Sequence, residues 1–320
     1  MNRRKLIALA AGAASLRPLL ALAQAGGMQR IGIIDDAPIW DHFRAALREL
    51  GHVEGENLAI AYRAPQGDPD RLVAAAKDLA AVPVGIIAVF GSTAAKAAQA
   101  ATDKVPVVAI SIGDPVRIGL VKSLAQPGGN VTGNTILGPD LVPKRLQLLK
   151  EVLPHLARVA FLWNPNNETN RALLEELQAV GPRLEVAVTP VEARTAEDFE
   201  AATRILTEQR PDAVLTTNDP VHQRNMSKII EFQLAQRIPG MFQLKEQVAA
   251  GGLMSYGASL PNLFRRGAGY AHRILQGTPP TNLPIEQPTT FELVINLKTS
   301  NALGLTMPQS LLARADEVIE

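Results

Sequence analysis

The sequence predicts an α/β protein of two doubly wound lobes with a ligand cleft between them, and three observations predict it. Short apolar runs alternate with helical patterns along the chain, the signature of parallel sheets covered by helices. The rhythm starts again in the middle, after a break at residues 129–139. The length, 320 residues, fits two units of ordinary domain size.

The first unit opens with the β-branched run Arg30-Ile-Gly-Ile-Ile34, followed by helical spacing over 43–50 that stops at Gly51. Residues 58–62 alternate as a strand. Asp68-Pro69-Asp70 supplies an N-cap and first turn for a helix over 72–81. Residues 85–90 are continuously apolar, as a strand buried on both faces requires. A helix over 92–101 and a strand over 105–110 complete the unit. In the second unit, 141–153, 169–180, 196–208 and 221–236 read as helices, and 158–163, 184–191 and 213–216 as strands. Phe291-Glu-Leu-Val-Ile-Asn296 is a last strand with a short helical pattern after it. The proline-rich stretch 279–288 reads as a stiff crossover.

Residues 1–25 read as an export signal of the Sec or twin-arginine type. Asn2-Arg3-Arg4-Lys5 is a basic start, an apolar run follows over 6–14, and A-x-A patterns stand at 21–23 and 23–25. That run is too short to span ~30 Å of hydrocarbon. With no cysteine to carry a lipid, the mature chain is expected to be free in the periplasm. Cleavage would remove four basic residues and no acids, turning a net charge of +1 into −3.

Composition and motifs exclude several functions. The near-neutral balance offers no basic face for nucleic acid. Without cysteine there is no disulfide framework, thiolate nucleophile, zinc knuckle or iron–sulfur site. The five histidines lack metal spacing. No dinucleotide, Walker, nucleophile-elbow or zincin motif is present, so neither a cofactor nor an enzymatic reaction is expected. What remains is binding. In open α/β sheets ligands sit beyond the carboxyl ends of the strands, which here carry Asp35, Asp36 and Trp40, Gly91-Ser92-Thr93, Gly113-Asp114-Pro115, Asn164-Pro165, Asn218-Asp219-Pro220 and Ser255-Tyr256-Gly257. Ser92 and Thr93 at a helix N-terminus suit an anion but equally form a plain cap. Asp114 and Asp219 suit an ammonium or an ordinary turn, and Trp40 and Tyr256 suit stacking or packing.

Several longer motifs occur in order: Leu47-Arg-Glu-Leu-Gly-His-Val-Glu-Gly-Glu-Asn57, Gly113-Asp-Pro-Val116, Gly119-Leu-Val-Lys-Ser-Leu-Ala-Gln-Pro-Gly-Gly-Asn-Val-Thr-Gly133, Lys144-Arg-Leu-Gln-Leu-Leu-Lys150, Val159-Ala-Phe-Leu-Trp-Asn-Pro165, Ala250-Gly-Gly-Leu-Met-Ser-Tyr-Gly257 and Phe291-Glu-Leu-Val-Ile-Asn-Leu-Lys298. With these the chain resembles the solute-binding proteins of ABC transporters, in the family that includes tryptophan- and tyrosine-binding components. The resemblance implies the type I periplasmic-binding fold. It places one lobe at 28–138 plus about 259–285 and the other at 139–258 plus about 286–320. It also implies a monomer that closes on a small ligand and docks on an inner-membrane ABC permease. Carried over by position, Ser92, Thr93, Asp114, Asn164, Asn218, Asp219 and Tyr256 line the cleft, with the loop holding Asp35. Phe90 stands where relatives often carry glycine, and the loop after the first strand is more compact than theirs. An amino-acid-like or aromatic carboxylate ligand is expected, with its carboxylate on Ser92 and Thr93. Asp114 or Asp219 would take the ammonium, and Trp40, Phe90 or Tyr256 the side chain. A sensory module and an enzyme on the same fold are the other readings.

Overall fold

The computed structural model describes residues 27–320 apart from Asp36 and Gly67, so the expected export signal lies outside the described residues. The first unit runs β1 (Gln29–Ile34), α1 (Trp40–Glu49), β2 (Leu58–Arg63), α2 (Pro69–Ala81), β3 (Ile86–Phe90), α3 (Gly91–Ala101), β4 (Val107–Ile112) and β5 (Val131–Thr135). Its five strands form a parallel sheet in the order β2-β1-β3-β4-β5. The Asp68 cap forms as its sequence requires, the carboxylate accepting from the N–H groups of Asp70 at 2.9 Å and Arg71 at 3.1 Å.

The second unit begins with α4 (Val142–Val152), β6 (Arg158–Trp163), α5 (Glu168–Val180), β7 (Ala187–Glu192), α6 (Asp198–Gln209) and β8 (Ala213–Thr216). It continues through α7 (Pro220–Arg224), α8 (Met226–Gln236), β9 (Gly240–Phe242), α9 (Lys245–Ala249) and β10 (Met254–Ala258). Helix α10 (Leu260–Leu275) follows, and β11 (Phe291–Asn296), α11 (Leu297–Leu303), α12 (Gln309–Leu312) and β12 (Glu317–Ile319) end the chain. The second sheet has the order β12-β11-β10-β9-β8-β6-β7, parallel throughout except where β10 meets β11. The predicted α/β class, with two mostly parallel sheets covered by helices, is what the chain adopts.

Helix α10 comes from late in the sequence yet lies on the first sheet, against α1, β3, β4 and β5. Its Phe264 and Tyr270 are fully buried with Trp40 and Phe43 of α1. The chain therefore passes between the sheets three times, after β5, after β10 and before β11. The third passage is tied to β5, where Thr135 N–H donates to the Glu286 carbonyl at 2.8 Å and Glu286 N–H to the Gly133 carbonyl at 3.0 Å.

Three local readings are corrected. Residues 131–135, expected within the break between units, form the edge strand β5, buried throughout despite the composition Val-Thr-Gly-Asn-Thr. Its polar groups are matched internally: Thr132 donates to the Leu283 carbonyl at 2.7 Å and the Asn134 amide to the Leu263 carbonyl at 2.9 Å. Gly133 has φ +141°, and a Cβ there would stand 1.8 Å from the Ala109 carbonyl oxygen, so only glycine fits. The expected single helix over 221–236 is broken at Asn225, whose amide donates to the Val221 carbonyl at 2.8 Å. The sequence reading leaves out β9, which is only three residues long, and α10, although Leu260, Leu263, Phe264, Ala268, Ala271 and Ile274 form an apolar stripe at helical spacing.

Candidate functional site

The carboxyl ends of β3 and β4 in the first sheet meet the N-terminus of α5, which follows β6 of the second. Ser92 Oγ accepts from the Gly113 N–H at 3.0 Å and from the Thr169 hydroxyl at 2.9 Å. Along the same seam Lys96 pairs with Glu168, and Arg117 with Glu175. These pairs are exposed, so each is worth only about 0–1 kcal/mol. The seam is tight: a Cβ on Gly113 would lie 2.1 Å from Thr169 Cγ2.

The residues singled out in sequence have diverse surroundings. Asp35 is half-buried and accepts from the Ala37 N–H at 3.1 Å; Asp36 lies outside the described residues. Trp40 is 1% exposed, with Phe43 and Phe264 edge-on to it at 5.3 and 4.9 Å between ring centroids, which places it in the first core. Phe90 is tilted against Phe264, with ring centroids 5.4 Å apart, and is half-buried. Thr93 is exposed. Asp114 caps a turn, accepting from the Arg117 N–H at 3.0 Å. Asn218 accepts from the Gln223 amide at 2.6 Å. Tyr256 is half-buried beside Phe291, with ring centroids 6.1 Å apart.

Asn164 and Asp219 are brought together. Asp219, 1% exposed, caps α7 through the Val221 N–H at 2.9 Å. Its two oxygens also take the side-chain amides of Asn164 at 3.2 Å, Asn167 at 2.9 Å and Asn170 at 3.5 Å. The carboxylate thus ties the loop after β6 to the loop after β8.

Other polar groups at the strand ends have no protein partner. Ser111 Oγ, Thr135 Oγ1, Trp163 Nε1, Thr216 Oγ1 and Ser255 Oγ are buried and unbonded. Ser111 is also held at φ +62°, a left-handed conformation unusual for serine, while its N–H donates to Asn134 Oδ1 at 2.9 Å. Such strain costs about 1–3 kcal/mol and collects at ligand clamps. Ser255 stands in the Ser255–Gly257 stretch read from the sequence, whereas Ser111 and Trp163 lie within β4 and β6, inward of the loops at which sequence reasoning stopped. A separate surface depression of about 330 Å3 between α1 and β2, lined by Arg44, Arg48 and His52 among others, contains none of these strand-end groups.

His222, beside Asp219 in the chain, is fully buried. Its Nε2 donates to the Ala193 carbonyl at 3.1 Å, so Nδ1 is the neutral acceptor for the Thr217 hydroxyl at 3.0 Å. Burial holds this imidazole below its usual range, against the opposing pull of Asp219. The unfolded chain therefore binds a proton that the folded chain refuses, and stability falls as pH drops below about 6.5, by up to ~1.4 kcal/mol per pH unit. Urea unfolding at pH 7.5 and 5.5 should show this loss, and His222→Gln should reduce it. An unchanged difference in the variant would remove His222 as the cause. The buried His52, lowered in the same direction by desolvation and then by His272, contributes to the same slope.

The family described as ABC transporter substrate binding protein matches residues 37–319. A curated relative, the tyrosine-binding protein of Clostridioides difficile strain R20291, is 25% identical over 264 residues, covering 82% of this chain and 75% of that protein. Among solved structures, a conserved domain protein from Vibrio cholerae is 27% identical with a TM-score of 0.86, over 91% of this chain and 99% of its own. The ABC domain from Streptococcus pneumonia in complex with L-Trp gives 0.85 at 24% identity, with the same coverages. The ligand-free, open structure of a substrate binding protein from Clostridium difficile gives 0.65 at 23%, again with the same coverages.

Proposed function

The chain belongs to the ABC transporter substrate binding protein family, as its motifs implied, and from that premise we propose that it is the exported solute-binding component of an importer, closing its two lobes on an amino-acid-like or aromatic carboxylate ligand. Members of this family bind solutes and are not enzymes, which agrees with the missing catalytic motifs. The observation that carries the proposal is the meeting of strand ends from both sheets, bonded across the seam by Ser92 and Thr169 and leaving several buried hydroxyls without protein partners.

The ligand class is supported by the relatives, one a tyrosine-binding protein and one solved with L-Trp. Phe90 and Tyr256, both half-buried, are the rings available to an aromatic side chain, since Trp40 is enclosed by phenylalanines. Ser111, Thr135 and Ser255 supply hydroxyls, and Asp114 is the acid on the rim. Ser92 holds the first lobe to the second through the Thr169 hydroxyl. No helix among the described residues is long and apolar enough to cross a membrane; the partner in this reading is an inner-membrane permease, on which a monomer docks.

The test is a thermal-shift screen of the protein amino acids and of aromatic acids lacking an amine. L-tryptophan or L-tyrosine at a hundred times its dissociation constant should add about 2.7 kcal/mol of apparent stability. A screen in which only sugars or aliphatic amino acids raise the melting temperature would overturn the ligand class.

A further inference from the structure

Arg145 is the one guanidinium of the described chain held to about 9 by burial. It sits in the first turn of α4 and is 2% exposed. Its Nε donates to the Tyr256 carbonyl at 2.8 Å and its Nη1 to the Gly138 carbonyl at 3.0 Å. Gly138 lies on the first passage between the sheets and Tyr256 on β10, just before the second. The guanidinium thus ties together two stretches of chain that lead between the second sheet and the first. Nη2 is buried with no partner and lies 3.6 Å from where a Cβ on Gly257 would be.

This is an expensive arrangement for a structural role alone. Buried charges are normally matched by an opposite charge, and among the described residues no carboxylate pairs with Arg145. Two neutral carbonyls leave the cation uncompensated. Its place in the first turn makes matters worse, because the helix dipole is positive there. Both effects point the same way: the potential at this spot favours an anion. Tyr256, the neighbouring ring offered to the ligand, shares this position.

We infer that Arg145 is an anion-anchoring residue of the binding site, its free Nη2 taking the carboxylate of the captured solute at the base of the cleft. The inference rests on the solute-binding reading above. It locates the carboxylate at the hinge rather than at the N-terminus of α3, where Ser92 is already bonded to Gly113 and Thr169.

The experiment is a two-by-two titration calorimetry series: wild type and Arg145→Lys, each with L-tryptophan and L-tryptophanamide, repeated with L-tyrosine and L-tyrosinamide. Wild type should prefer the acid over the amide by about ten- to a hundredfold, the worth of a charge-assisted contact. Arg145→Lys, which keeps a charge but loses the fork, should shrink that preference; Arg145→Gln, where it folds, should abolish it. Equal losses for acid and amide in the variants would overturn the inference and leave a purely structural arginine. If wild type binds none of these four compounds, the ligand class fails. Arg145 is then judged on ligand-free protein by melting in acetate against acetamide at fixed ionic strength. A rise in acetate that Arg145→Lys reduces supports an anion anchor, and no rise overturns it.

Discussion

Gly113→Ala is expected to leave the fold intact while weakening capture of the solute by at least tenfold. The glycine sits at the end of β4, and its added methyl would meet Thr169 of the other lobe at 2.1 Å from Cγ2, 2.6 Å from Oγ1 and 2.9 Å from Cβ. Thr169 is poorly placed to yield. It is β-branched, its N–H donates to Asn167 Oδ1 at 3.0 Å, and its hydroxyl donates to Ser92. The cheapest relief is separation of the lobes along this seam, which touches neither core. Apparent affinity falls in proportion to the closed fraction, so a closure penalty of about 1.4 kcal/mol already gives tenfold. Calorimetry with the solute identified by the screen and small-angle scattering of the same samples check this together. Thr169→Gly placed on top of Gly113→Ala should restore both affinity and compaction. A single variant that binds and compacts like wild type would show that the seam does not control closure.

Asp219→Ala should cost stability first, by about 3–5 kcal/mol, the sum of a lost helix cap and of buried amides left without an acceptor. Four donors converge on this carboxylate, from Val221, Asn164, Asn167 and Asn170. Urea unfolding measures the loss directly. The sequence reading also offered Asp219 to a ligand ammonium, and the same variant separates the two roles. A loss of binding with less than about 1 kcal/mol of destabilisation would make it a ligand group, whereas a large destabilisation identifies it as the knot joining two strand-end loops. Asp219→Asn is a useful companion, because its amide would face three other amides.

The fold was legible where burial on both faces leaves an unbroken apolar run, as in Ile86–Phe90 and Arg158–Trp163. It was illegible in Val131–Thr135, where the buried groups are hydroxyls and amides whose partners, such as Leu283 and Leu263, lie more than a hundred residues away. No local pattern carries such information. The candidate site shows the same division. Strand-end position picked out Ser92, Asn164, Asp219 and Tyr256, but composition cannot tell which polar groups are engaged by each other. Asp219 and Ser92 prove to be bonded within the protein, while Ser111, one strand-end residue further in, is strained and its hydroxyl has no protein partner. Arg145 stands within the Lys144–Lys150 motif but was not read as a site residue, since an arginine on an amphipathic helix ordinarily faces water.

Helix α10 reaches the first sheet only after most of the chain has been made, and this sets the order in which the protein can fold. His52 and His272 meet in the α1–α10 interface at a sequence separation of 220 residues. The aromatic core that Trp40 and Phe43 begin is finished by Phe264 and Tyr270. A chain growing from its N-terminus at ~5–20 residues per second cannot complete this core until its last fifth is being synthesised. Long-range closure of this kind also folds slowly. The first lobe is therefore not an independent folding unit that forms ahead of the second.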